Sequence, residues 1–437
     1  MPISRLFHWG VVLLFAAAVA VAANARADDG NKTELDRLIA EAIERNTDVV
    51  EAQALAEAAK QRVRPAAALP DPMFTLAYEN DGVQPSLGTQ EMTRLQFMAQ
   101  QAFPFPGKRP LARKIAATEA DEVATRTSRA RLGVEATVRR AYADILLTRV
   151  NLGVVAEQIQ AWTEIEEVTR NRYSAGLGSQ QDVLRAQSES TRLLQQRVRD
   201  EAGEETARSE LARVLQRPVA AAEIAGASFA VPPAGGEPLS PEEALRLGDE
   251  VSPELKEVLL TRERAQLAAD LARRNLKPDF VASAAYMNRG GLPLMWSVGL
   301  GVSVPLWVTQ KQAPLIAEAD SRIRAAAAAE TSIRNRLKAR TDQRRIRLRQ
   351  LAREAALDTD GILVQDQLSV DSALATYRVG GVPFVTVLEA LSTLYGDRRA
   401  AASRLADYMK SEADLREFSL DGGSAPTASS SPSPKSM

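Results

Sequence analysis

Between residues 294 and 304 the chain alternates strictly. Leu294, Trp296, Val298, Leu300, Val302 and Val304 are interleaved with Met295, Ser297, Gly299, Gly301 and Ser303. One face is wholly apolar and most of the other is tiny or polar, which is the period-2 signature of a strand with a different solvent on each side. Residues 279–287 repeat the pattern, with Phe280, Ala282, Ala284 and Tyr286 on one side. In the first half of the chain, Phe74, Leu76 and Tyr78 alternate with Thr75, Ala77 and Glu79, and Thr93, Leu95, Phe97 and Ala99 alternate with Arg94, Gln96 and Gln100. Each segment alone suits a half-buried soluble sheet. Together they predict four strands of about ten residues, the length that crosses a bilayer. Four strands cannot close a barrel that needs at least ~8, and lipid tolerates no open sheet edge. A barrel made from this chain has to be shared between subunits.

The rest of the chain reads as helix. No proline occurs from Leu111 to Arg217 or from Leu315 to Val382. A helix over 111–172 would be roughly 93 Å long and would need partners along its whole length, so coiled-coil packing is expected. The segments 174–179 (Ser-Ala-Gly-Leu-Gly-Ser) and 379–383 (Val-Gly-Gly-Val-Pro) are expected turns that fold two long helical hairpins. Shorter helices are expected over 33–67 and 241–275, the second opened by Ser240-Pro241-Glu242-Glu243, with Ser as N-cap and Pro at the first helical position.

The two hairpins belong to an internal repeat. At a constant offset of 204, Tyr173 aligns with Tyr377, Gly176 with Gly380, Val183 with Val387, Leu184 with Leu388 and Ala186 with Ala390. Phe103-Pro104-Phe105-Pro106-Gly107 and Val304-Pro305-Leu306-Trp307 each precede a long helix, and Glu119-Ala120-Asp121 matches Glu318-Ala319-Asp320. The expected organisation is a leader over 1–27, a first repeat over 28–217, a Pro/Gly/Ala-rich linker over 218–239, a second repeat over 240–417 and a low-complexity disordered tail over 418–437.

Composition narrows the function. Among 437 residues there is no Cys and one His, His8. His8 lies in a segment that reads as a secretory signal: Arg5, an apolar run from Val11 to Ala23, and the small-x-small site Ala25-Arg26-Ala27. Its cleavage would leave a chain without His or Cys, with 53 basic and 56 acidic residues. Such a chain lacks the usual nucleophilic triads and transition-metal ligands, so neither an enzyme nor a cofactor is expected, and the missing Cys excludes a lipoprotein anchor. The arginine-dense stretch 322–353 has no interleaved aromatics. It reads as a solvated coiled-coil face paired with acidic helices such as Glu164-Ile165-Glu166-Glu167, and not as a nucleic-acid site. Trp296 and Trp307 flank the last strand, as membrane-interface belts favour, while Trp162 reads as packing.

These residues resemble the TolC family of trimeric outer-membrane efflux ducts over about 34–417. The resemblance rests on the two-fold repeat, the Leu69-Pro70-Asp71-Pro72 entry to the first strand, the Phe103-Pro104-Phe105-Pro106-Gly107-Lys108-Arg109 corner and the paired Tyr-x-x-Gly turns. The corner is most similar to the heavy-metal cation efflux, CzcC-like, branch. The resemblance implies a mainly α fold with a β-barrel portion: a homotrimer sharing a 12-stranded barrel, four strands from each chain, in the outer membrane, above a helical barrel that crosses the periplasm. It implies a periplasmic adaptor and an inner-membrane pump of the RND type as partners, outer-membrane lipid around the barrel, and a passive conduit for heavy-metal cations. Drugs or secreted polypeptides are the alternative cargo, and a periplasmic coiled-coil scaffold without a pore is the alternative class.

The resemblance also implies a tip gate. Its acidic position in the first repeat falls on Asp182, the tyrosine of the closing network on Tyr377, and the two acidic positions of the second repeat on Thr386 and Glu389. Only Glu389 of that second pair keeps its charge, and the arginine expected to partner these groups is replaced by Val382. In a trimer Glu389 would place three carboxylates around the axis, raising the local cation concentration. Arg172, Gly176 and Gly178 at one turn, and Gly380 and Gly381 at the other, are the candidate adaptor-docking positions, where small residues permit close backbone approach.

Overall fold

The computed structural model describes residues 34–418, apart from 89, 225–227, 230–231 and 233–239. The expected leader over 1–27, with His8 and Trp9, the tail beyond 418 and part of the linker lie outside these residues. The elements in chain order are α1 (34–45), α2 (Thr47–Gln61), α3 (Val63–Ala66), β1 (Met73–Glu79), β2 (Arg94–Phe103), α4 (Lys108–Ser174) and α5 (Gln180–Leu215). After a short 3-10 turn come α6 (Pro241–Val251), α7 (Pro253–Arg274), β3 (Asp279–Asn288), β4 (Met295–Ser303), α8 (Ala313–Leu357), α9 (Leu363–Arg378) and α10 (Phe384–Glu417). No helix among the described residues is long and apolar enough to cross a membrane.

The chain forms two compact units, and each draws segments from both halves of the sequence. A sheet unit comprises Glu51–Ser128 and Pro253–Asn335; a helical unit comprises Met1–Val50, Arg129–Ser252 and Arg336–Met437. The sheet is antiparallel in the order β1-β2-β3-β4. Its register carries the alternation across every strand. Leu76 faces Phe97, Phe97 faces Tyr286, and Tyr286 faces Trp296, so one row of large apolar groups crosses the sheet. Phe74, Leu76, Trp296, Val298 and Leu300 are all exposed. The opposite face carries Gln96, Gln100, Ser283, Ser297 and Gly299, and Glu79 lies opposite Arg94 at 2.5 Å.

The helical unit buries its apolar groups in three clusters. The first packs Leu38 and Val49 against Val138, Tyr142 and Ile145 of α4 and Leu211 and Leu215 of α5. The second joins Trp162 and Ile165 of α4 to Leu193 of α5, Tyr377 of α9, and Phe384 and Leu391 of α10. The third is built on Leu348, Leu351, Tyr408 and Leu415. Arg217 ties the end of α5 to Glu41 of α1 at 2.6 Å and to Glu223 at 2.9 Å.

Three expectations are corrected. The opening helix is not continuous over 33–67: it breaks at Asn46, whose side-chain oxygen accepts from Asp48 N at 2.9 Å while its amide donates to the Val214 carbonyl. A local side-chain bond has replaced a helical one. The helix expected over 241–275 breaks at Ser252, because Pro253 excludes helical geometry from the residue before it. The second long helix contains π segments at Val308–Gln312 and Asp358–Ile362. Asp358 in the latter is buried and paired with Arg404 of α10, and π-bulges occur where a specific side-chain contact displaces the regular ladder. Two arginines of α8 pair within their own helix. Arg322 pairs with Glu318 and Arg334 with Glu330, one turn away in the same helix, while Glu166 takes Arg170. Groups four residues apart on one helix meet without any tertiary contact.

Candidate functional site

The two expected turns, both in the helical unit, have the same construction. In the first, Leu177 N donates to Arg172 O at 2.8 Å and Gly176 N to Tyr173 O at 3.0 Å. In the second, Gly381 N donates to Thr376 O at 2.9 Å and Gly380 N to Tyr377 O at 3.0 Å. This is the paired-bond helix stop that needs a left-handed residue, and Gly176 and Gly380 supply it with φ of +68° and +82°. Gly178 and Gly381 serve close packing. A Cβ on Gly178 would lie 3.2 Å from Tyr173 N, and one on Gly381 would lie 2.7 Å from the Thr376 methyl. The returning helices then start by different means. Ser179 caps α5, its hydroxyl accepting from Asp182 N at 3.2 Å, whereas α10 starts at Pro383 without a side-chain cap.

The candidate gate residues are not gathered into one network. Tyr377 is buried, with its ring 5.9 Å from Phe384, and Phe384 meets Trp162 edge-on at 6.2 Å. Asp182 is half-buried in the first turn of α5, Thr386 is half-buried in the first turn of α10, and Glu389 is exposed one turn later. No side-chain hydrogen bond or ion pair joins any of these three to Tyr377 among the described residues. Val382 packs against the buried cluster, so the position of the missing arginine has become part of the core.

Arg172, at the first turn, makes contacts across to the second. Its guanidinium lies 4.9 Å from the centroid of the Tyr377 ring and donates to the carbonyls of Tyr377 at 3.1 Å, Arg378 at 3.4 Å and Leu177 at 3.1 Å. Farther along the second hairpin, the carboxyl of Asp366 on α9 lies beside that of Asp397 on α10. Burial, and then the Asp397 carboxyl beside it, pushes Asp366 above the usual aspartate range. Sequence reasoning passed over this pair, the Asp358–Arg404 pair and the Phe384 anchor, because each depends on which residues of two distant helices come level.

In the sheet unit, the polar groups of the Phe-Pro-Phe-Pro-Gly-Lys-Arg corner are taken up within the chain. Asp279 Oδ1 accepts from Phe105 N at 2.7 Å and from Lys108 Nζ at 2.8 Å. Lys108 also donates to Lys277 O, and Arg109 donates to Ala67 O at 2.8 Å. Gly107 adopts φ +94°, and a Cβ there would meet the Arg274 guanidinium at 3.0 Å. The motif ties the start of α4 to the start of β3.

Residues 38–216 match the family model described as outer membrane efflux protein. No curated protein matches the chain. Among solved structures, the fold is that of several bacterial membrane proteins. The outer membrane protein VceC from Vibrio cholerae aligns with a TM-score of 0.71 and 17% identity, over 88% of this chain and 95% of that one. A membrane protein from Pseudomonas aeruginosa aligns with a TM-score of 0.75 and 15% identity, over 89% and 92%. The MtrE outer membrane channel of Neisseria gonorrhoeae, in its open state, aligns with a TM-score of 0.67 and 17% identity, over 89% of each chain. The family match covers the first hairpin and both strands of the first half; the likeness of fold extends through the second.

Proposed function

We propose that the whole chain is an outer membrane efflux channel: a passive exit duct that takes cargo from a periplasmic adaptor and an inner-membrane pump of the RND type to the outside. The observation that carries this is the sheet. Its four strands present one continuous exposed apolar face, and β1 and β4 remain unpaired edges. Lipid can accept that face but not those edges. Three copies would pair every edge and give twelve strands, enough to close a barrel. The two-repeat organisation over 28–217 and 240–417, the outer-membrane location and the absence of a lipid anchor belong to the same reading, as does a resting tip lined by Asp182 and Glu389.

The cargo assigned is heavy-metal cations, with selection made upstream, because the chain beyond the expected leader offers no His or Cys to bind them. The internal use of Lys108, Arg109 and Asp279 favours a second reading in which the corner secures the fold and the cargo is drugs or polypeptides. Growth of a deletion strain on metal salts and on drugs separates the two: sensitivity confined to metals supports the first, and sensitivity confined to drugs or detergents supports the second. Purified protein that stays a soluble periplasmic monomer, with no heat-modifiable trimer in the outer-membrane fraction, would overturn the duct itself.

A further inference from the structure

We propose that Arg172 is the clasp that holds the two helical hairpins of one chain together at their turns, in place of the carboxylate links expected there. The inference rests on the duct reading and names the positioning residue of its gate. The two turns share one backbone frame, so the aligned positions can be compared directly. Arg172 aligns with Thr376, and Tyr173 with Tyr377. Thr376 bonds only within its own helix, to Ser372 O at 2.8 Å, and Tyr173 is about half exposed. The link therefore runs one way, from the first turn to the second.

The chemistry of the contact suits a guanidinium. Tyr377 O and Arg378 O are terminal carbonyls of α9 at the negative end of the helix dipole, and Tyr377 O also accepts from Gly380 N at 3.0 Å. A planar fork can serve these two and Leu177 O at once while stacking on an aromatic ring; a lysine ammonium can do only part of this. Gly380 lies in ordinary contact with the guanidinium, a Cβ there falling 3.6 Å from Arg172 Nη2, and its own constraint is the positive φ. Tyr377 in turn is wedged against Phe384 and Trp162, so the clasp closes onto the core shared by both hairpins. Separating the turns requires the guanidinium to leave two carbonyls and a ring, since Leu177 O belongs to its own turn. It requires nothing of Asp182, Thr386 or Glu389.

The test uses the full chain, which has no native Cys. Spin labels on a Ser174→Cys, Val379→Cys pair report the separation of the turns, and planar-bilayer conductance reports the gate. Arg172→Ala is expected to raise the population of separated turns roughly tenfold, the scale of one lost hydrogen bond to a charged group, and to raise conductance with it. Arg172→Lys should restore less than half of the wild-type short-distance population, and Thr376→Ala should leave it unchanged. An Arg172→Ala protein with a lowered melting temperature but wild-type distances and conductance would overturn the clasp, as would full rescue by Lys. Wild-type protein that forms no channel would overturn the duct reading, and the spin-label distances would still decide the clasp.

Discussion

Two tryptophans of this chain sit in opposite environments. Trp296 on β4 is 77% exposed, and Trp162 on α4 is 2% exposed. The contrast extends to the units around them. The helical unit puts its largest apolar groups inside, as a protein in water must. The sheet unit puts Phe74, Leu76, Val298 and Leu300 outside and keeps Gln96, Gln100 and Ser297 on the other face. On the proposed reading, the same driving force gives opposite results because the sheet's apolar face meets lipid while the helical unit meets water. Sequence period marks the elements, two along the strands and three to four along the helices, and not the solvent that each face meets.

The strongest test of this contrast is to remove each indole. Trp162→Ala should cost about 3–5 kcal/mol, because it opens a cavity beneath Phe384. Trp296→Ala should cost much less, and equal losses in thermal unfolding would break the comparison. Next in size is a charge on each face of β4. Leu300→Arg should lose ~2–4 kcal/mol of membrane stability, whereas Ser297→Arg, on the opposite face, should be tolerated. The yield of heat-modifiable oligomer in the outer-membrane fraction measures both, and parallel losses would mean that the exposed face does not meet lipid.

Within the helical unit, one ion-paired cluster and one pair of like charges sharpen the picture. The Arg217 hydrogen bonds hold Glu41 and Glu223 below the usual glutamate range. Their stabilisation is complete above that range and is lost as pH falls through the lowered values. Arg217→Ala should cost about 2 kcal/mol near neutral pH, with the stability curves of variant and wild type converging in acid. The smallest effect has the reverse sign. Asp366 is raised by burial and by Asp397, so its favourable contribution exists below the usual aspartate range and is lost as pH rises through the raised value. Asp397→Asn should therefore stabilise the second hairpin by about 1 kcal/mol near neutral pH, and the gain should vanish in acid. A variant less stable than wild type at neutral pH would show that the two carboxyls do not oppose each other there.

Much of the architecture is legible in the residues. The four strands lie within a few residues of their expected positions, because alternation over ten residues has few other causes. The turns at Gly176 and Gly380 are equally legible, since a left-handed stop selects glycine and the aligned Tyr-x-x-Gly motifs mark it twice. The break before Pro253 went unread in the helix expected over 241–275, although the residue before a proline avoids helix. Asn46 was less legible, because asparagine breaks a helix only where its side chain finds the right backbone group. The candidate site was the least legible part. Its residues were placed by resemblance, and at the turns the resemblance locates positions without saying which side chains touch. Arg172 stands at an expected position and makes contacts that nothing local specifies.

The sequence by itself determined the strands, which residues share each strand face and the two stops that fold the hairpins, because these depend on period and on glycine within a few residues. The tertiary structure alone decided that Arg172 reaches the carbonyls of α9 205 and 206 residues away, that Val382 joins a core and that Asp366 comes against Asp397. Those contacts depend on how long helices align side by side. Over many turns, a shift of one residue in that alignment changes every partner while leaving the local pattern intact.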